Sequence, residues 1–292
     1  MLVTTSTRRI TVARTVSELR AAVDAARSAG RSVGFVPTMG ALHAGHATLV
    51  REAARQHGTV VISIFVNPTQ FNDAGDLQNY PRTEQHDLLV AAEAGATIAF
   101  VPSVDEVYPH GFATVVSGGP ITEQLEGAHR PGHFDGMATV VVRLLNLVRA
   151  DVAYFGRKDA QQLAVVEQVV RDLAIGTRIQ GVETVREPDG LAMSSRNVRL
   201  SADDRVRALA LSRGLRAAQR VADGGEHSAR TIESALRAEL DGASLATDYA
   251  TLVDAATFRP VDVLDRDCVL AVAATVGPVR LIDNVRLAPA AS

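Results

Sequence analysis

Short apolar blocks alternate with longer amphipathic stretches along residues 1–184. The blocks 33–36, 59–66, 97–101, 152–155 and 178–183 are rich in Val, Ile and Phe, as strands buried on both faces of a parallel sheet must be. Between them the period lengthens to that of helices, and each candidate helix is punctuated. The stretch 16–29 ends at Gly30 and 45–56 ends near Gly58; 84–94 follows Pro81 and Thr83 and stops at Gly95; 136–149 and 159–173 obey the same logic. This alternation predicts a doubly wound, Rossmann-like α/β domain with a parallel sheet over residues 1–184, with ligands at the carboxyl ends of its strands.

Beyond residue 184 the pattern changes. Ser201 with Asp203 and Asp204 reads as a helix start. An Ala/Arg/Leu-rich helix is expected to residue 222 and a second over 229–240. Three strand-like runs follow, 247–253, 268–275 and 279–287, with Gly277-Pro278 turning the last pair. Residues 185–292 are expected to form a smaller α+β domain, with Gly224-Gly225 as a loop rather than a long linker.

Composition narrows the class. The 292 residues are 47% hydrophobic and 22% charged, ordinary for a globular protein with a large core. A net charge of −3 argues against a broad nucleic-acid surface, and no apolar run has the length of a membrane span. Cys268 is the single cysteine, which rules out an intramolecular disulfide and fits a reducing cytoplasm. Residues 1–9 are polar, include Arg8 and Arg9, and read as a frayed arm rather than a targeting signal. Of 30 basic residues only Lys158 is lysine; the other 29 are arginine.

Four stretches carry candidate chemistry. The first, VGFVPTMGALHAGH over 33–46, leaves a strand and enters a helix. Helix amides and the helix dipole favour an anion there, Gly45 lets a phosphate approach, and His43 and His46 can donate to its oxygens. Spacing of three also suits two metal ligands, but no nearby Cys, Asp or Glu completes a set. An isolated His-x-x-His reads as two polar loop residues; the strand–glycine–helix context favours the nucleotide α-phosphate. The second stretch, YFGRKDAQQ over 154–162, again leaves a strand and puts Lys158 on the same rim, a compact charge suited to phosphate. The third, DGLAMSSRN over 189–197, offers two hydroxyls and a guanidinium that can wrap a triphosphate, although a capping loop explains it equally well. In the fourth, FVNPTQF over 65–71, Asn67 and Gln70 can hold a small polar substrate, with turn chemistry as the competing account of Asn67-Pro68.

Together these pieces resemble the pantothenate synthetase (pantoate–β-alanine ligase) family of the nucleotidylyltransferase superfamily. The resemblance covers residues 10–287 and rests on PTMGALHAGH, SIFVNPTQF, YPRT, RPGHFDGMATVV, KDAQQL and DGLAMSSRN in order and spacing. It implies ligation of pantoate to β-alanine with ATP and Mg²⁺ through a pantoyl adenylate, releasing pyrophosphate and AMP. It assigns His46, with His43, Lys158 and Arg196, to catalysis. Pro37, Met39, Gly40, His43, Gly45 and His46 would line the ATP site. Gly156, Lys158, Asp159, Met193, Ser194, Ser195 and Arg196 would contact ATP, and Val185 would touch adenine. Gln70, Gln162 and Asn67 would hold pantoate, with Gln70 near β-alanine. Mg²⁺ would arrive on the ATP phosphates, with Asp87 as a candidate protein contact. The resemblance further implies a homodimer whose second domain acts as a lid, with no nucleic acid or membrane partner. Three positions depart from the family pattern: Ala44 and Arg157 stand where Glu is usual, and Ala160 replaces an aromatic residue. They keep open a weakened paralogue that senses nucleotide or pantoate without turnover. A tRNA synthetase fragment fits less well, because the second domain is small and not basic.

Overall fold

Residues 10–72 and 74–289 are described by the computed structural model; the 1–9 arm lies outside the described residues. Strands Thr11–Ala13 (β1), Val33–Thr38 (β2), Thr59–Ile64 (β3), Ile98–Phe100 (β4), Val152–Gly156 (β5) and Arg178–Val182 (β6) form one parallel sheet in the order β1-β4-β3-β2-β5-β6. Its longer helices are Val16–Ser28 (α1), Ala44–Gln56 (α2), Glu84–Ala94 (α3), His133–Val148 (α4) and Ala160–Asp172 (α5). Sequence chemistry marks their ends. Thr15 and Glu18 close a reciprocal capping box at the start of α1, and Gly95 ends α3 with a left-handed φ of 111°. Phe35, Val36, Val61, Ile62, Ala99, Phe100 and Tyr154 fill the sheet interior. The strand order reverses between β2 and β5, the crevice where an open α/β sheet binds ligands. The histidine stretch leaves β2 and the Lys158 stretch leaves β5.

Three local differences from the sequence reading have physical causes. The strand β2 continues through Pro37 to Thr38. Thr38 presents its backbone to β3, with its carbonyl accepting from Phe65 N–H. Pro37 therefore faces the β5 side, where pairing has ended at Phe35, so its missing N–H costs no ladder bond. Helix α4 starts at His133 instead of 136, after Gly132 in the left-handed region at φ 79°. The strand β1 is three residues long, too short to show in the apolar pattern.

The second set of elements comprises helices Ala202–Asp223 (α6) and Ala229–Gly242 (α7) and strands Ala246–Asp254 (β7), Cys268–Val276 (β8) and Val279–Leu287 (β9). Ser201 caps α6 by accepting from Asp204 N–H. The strands form an antiparallel sheet in the order β7-β8-β9. Leu211, Leu215, Ile232, Leu236, Leu240, Leu270 and Val272 make its core. The chain divides into two units, one of Met1–Gly156 with Val165–Val182 and one of Arg157–Ala164 with Glu183–Ser292. Residues 157–164 thus group with the second unit, because β9 grips the turn that carries them. No helix among the described residues is long and apolar enough to cross a membrane.

Candidate active site

In the first unit the site begins with backbone strain. Gly40 and Ala41 both lie in the left-handed region, at φ 89° and 51°. For a non-glycine residue that conformation costs of order 1–2 kcal/mol. Asp87, 1% exposed on α3, offsets the cost. Its Oδ2 accepts from Ala41 N–H at 3.0 Å, and its Oδ1 accepts from Leu42 N–H at 2.8 Å and Thr83 Oγ1 at 3.2 Å. The carboxylate proposed from sequence as a Mg²⁺ contact is thus engaged on the loop. A Cβ on Gly40 would stand 3.0 Å from Asp87 Oδ2, so this close approach needs glycine.

The pinned loop delivers two imidazoles to the start of α2. His43 Nδ1 accepts from Gly45 N–H at 3.1 Å, and His46 Nδ1 accepts from His43 N–H at 3.3 Å. The rings lie 4.1 Å apart at 39°. Two of the amides expected to face an anion therefore serve the histidines instead. An Nδ1 that accepts carries no proton, so each neutral ring keeps its proton on Nε2. Both rings can then donate through Nε2 without first being charged. Gly45 lies in the first turn of α2, beside the exposed Ala44.

A second cluster in the same unit fixes an amide. Asn67 is 1% exposed. Its Nδ2 donates to Gln70 Oε1 at 3.0 Å and to Gly136 O at 3.1 Å. Its Oδ1 accepts from Tyr108 OH at 2.8 Å and Thr69 Oγ1 at 3.0 Å. Burial holds the Tyr108 phenol above its ordinary pKa, partly opposed by the Thr69 hydroxyl and Arg143, so the ring stays a donor. With Oε1 occupied, Gln70 turns its NH₂ toward Met39, whose sulfur lies 3.1 Å from Nε2. His133 Nδ1–H donates to Gln70 O at 2.8 Å, and Arg130 adds a longer bond of 3.4 Å. Gly136 allows the approach: a Cβ there would sit 2.2 Å from Thr69 O. Asn67 thus spends both ends of its amide within the protein, and Gln70 presents the donor end. Tyr108 gave no signal in the sequence, because VYPHG reads as an ordinary turn.

In the second unit, the turn Arg157–Asp159 precedes α5. Lys158 has a 17% exposed side chain whose Nζ lies 3.4 Å from Asp159 Oδ1. Arg157 Nε lies 2.9 Å from Glu183 Oε1, so this departure from the family pattern has a carboxylate partner. Ala160 opens α5, and Gln162 is half-buried in its first turn. A tight hairpin brings Val185 beside Met193, with Met193 N–H donating to Val185 O at 2.9 Å. Ser194 caps the following turn through Arg196 N–H at 3.2 Å. Ser195 and Arg196 are exposed, and the Arg196 guanidinium has no hydrogen-bond or ion-pair partner among the described residues. Asn197 anchors the hairpin to Glu187 and Ala192 O. Among the described residues no group of three or more His, Cys, Asp or Glu is arranged to hold a metal ion.

Comparison with known proteins points one way. The family model described as pantoate-beta-alanine ligase matches residues 11–286. A pantothenate synthetase of Cereibacter sphaeroides is 51% identical, covering 94% of this chain and 98% of that protein. One from Corynebacterium glutamicum is also 51% identical, over 88% of this chain and 94% of its own. The solved pantothenate synthetase of Thermus thermophilus is 45% identical with a TM-score of 0.89, covering 96% of this chain and 100% of that one. A pantoate-beta-alanine ligase of Francisella tularensis, solved in complex with beta-gamma ATP and beta-alanine, is 32% identical with a TM-score of 0.77, over 95% and 97%. Carrying the histidine, lysine and serine–arginine motifs in one chain, and matched by that model and these relatives over nearly its whole length, the protein is an enzyme belonging to the pantoate–β-alanine ligase family.

Proposed function

We propose that the enzyme works in two steps through a pantoyl adenylate. In the first, a pantoate carboxylate oxygen attacks the α-phosphorus of ATP and pyrophosphate leaves. In the second, the β-alanine amine attacks the acyl carbon, AMP leaves and the amine loses a proton. The observation that carries this reading is the pair of Nδ1-accepting histidines at the start of α2. Two Nε2–H donors, preset by backbone amides, suit an α-phosphate that gains charge as it is attacked. Lys158 follows the β- and γ-phosphates; Ser194, Ser195 and Arg196 add donors; Val185 touches adenine, with Met193 as a further ATP contact. Gln70 and Gln162 bind pantoate as neutral amides, which spares the site a buried charge. Asn67, expected to touch substrate, acts in this reading by fixing the Gln70 amide. Mg²⁺ enters with the ATP phosphates. The active unit is read as a homodimer, which sedimentation would test, and as cytoplasmic, which the lone cysteine suits.

The test is AMP release from MgATP. Pantoate alone should give at most one AMP-equivalent of enzyme-bound adenylate; pantoate with β-alanine should give sustained AMP. His46→Ala should slow that turnover by ~10²–10³-fold, the usual loss for one transition-state donor, with far less effect on ATP affinity. Nucleotide binding without any AMP would favour the sensor reading, and a His46→Ala enzyme at full rate would remove the role of that ring.

A further inference from the structure

The strand β9 carries two polar residues, Asp283 and Asn284, that are 3% and 8% exposed. A half-buried strand has one face for polar side chains, so adjacent residues should not both be buried. Burying such groups is unfavourable unless each is hydrogen-bonded, and both are. Asn284 Nδ2 donates one hydrogen to Arg157 O at 2.9 Å and the other to Lys158 O at 2.8 Å. Asp283 accepts from both terminal nitrogens of Arg186, at 2.6 and 3.1 Å, and from Asn284 N–H at 2.8 Å. Arg186 NH1 also donates to Gly190 O at 3.2 Å within the hairpin that precedes Met193–Arg196. The pair thus grips both segments of this unit to which phosphate contacts are assigned.

We propose that Asn284 is a positioning residue for adenylation. Its two donors fix the carbonyls of residues 157 and 158, and so the direction in which the Lys158 side chain leaves the turn. Asp283 does the corresponding work for the hairpin through Arg186. The inference rests on Lys158 acting on the ATP phosphates. The turn is short, and the ammonium itself is held only by the long contact to Asp159 among the described residues, so the backbone must supply the aim.

Asn284→Asp is nearly isosteric and replaces two donors with an acceptor facing two carbonyls. Single-turnover formation of pantoyl adenylate is measured in wild type, Asn284→Asp, Lys158→Ala and the double variant, with circular dichroism and thermal melting as folding controls. Adenylation in Asn284→Asp should fall by about 10- to 100-fold, the scale of a small misplacement of a reacting group, with the pantoate KM unchanged. In the Lys158→Ala background the same substitution should cost less than about 3-fold more, because residues acting through one another are not additive. Near-normal adenylation by Asn284→Asp, or losses that multiply in full, would overturn the proposal. Unimpaired Lys158→Ala would overturn both it and the role assigned to the lysine. Should Asn284→Asp not fold, Asn284→Ser, which keeps one donor, carries the same comparisons.

Discussion

At the scale of single residues, the lone lysine makes the sharpest claim. Arginine fills 29 of 30 basic positions, yet residue 158 is lysine. The neighbouring residue is itself an arginine, ion-paired with Glu183, so this turn does accept a guanidinium. A guanidinium is planar and holds its donors in a fixed fork, whereas an ammonium rotates freely and can follow phosphates from ATP to departing pyrophosphate. Lys158→Arg should fold normally but lose about 10²-fold in adenylation rate, equivalent to roughly 3 kcal/mol. Rapid-quench measurement of the adenylate tests this, and a near-normal rate would show that charge alone suffices. Residue identity was readable here from composition and motif. The tautomers of His43 and His46 were not, because they depend on which amide meets Nδ1.

At the scale of elements, the histidine turn depends on a helix from elsewhere in the chain. Asp87 on α3 holds the amides of Ala41 and Leu42, and with them two consecutive left-handed residues. Asp87→Asn would set a side-chain NH₂ against one of those N–H groups. That substitution should lower stability by ~2 kcal/mol, the worth of a hydrogen bond to a charged group, and slow adenylation with it. Thermal melting without nucleotide or Mg²⁺ isolates the loop-pinning role; an unchanged midpoint together with a raised Mg²⁺ requirement would return Asp87 to the metal. The strand–helix alternation, the helix starts at Thr15 and Ser201 and the Gly277-Pro278 turn were legible because each is set by local chemistry. What stayed hidden was set by partners far along the chain. Pro37 looks like the end of a strand until pairing with β5 is seen to stop at Phe35. Within the strand-like run 279–287, Asp283-Asn284 has no evident reason to be buried until its partners at 157, 158 and 186 are known. Tyr108 reaches the site through the Oδ1 of a residue 41 positions away.

At the scale of the whole molecule, the residues assigned to one reaction are divided between two units. The first holds the histidines and the Asn67–Gln70 amides; the second holds Lys158, Gln162 and the Met193–Arg196 segment. In the proposed reaction, the histidine donors serve attack at the α-phosphate and Lys158 serves departure of pyrophosphate. The direct measurement follows one oxygen. Pantoate labelled with ¹⁸O in its carboxylate is incubated with enzyme, MgATP and β-alanine, and the products are analysed by mass spectrometry. Attack of that carboxylate on the α-phosphorus predicts one labelled oxygen in AMP for each pantothenate formed. Label in inorganic phosphate, with ADP as the nucleotide product, would contradict the account.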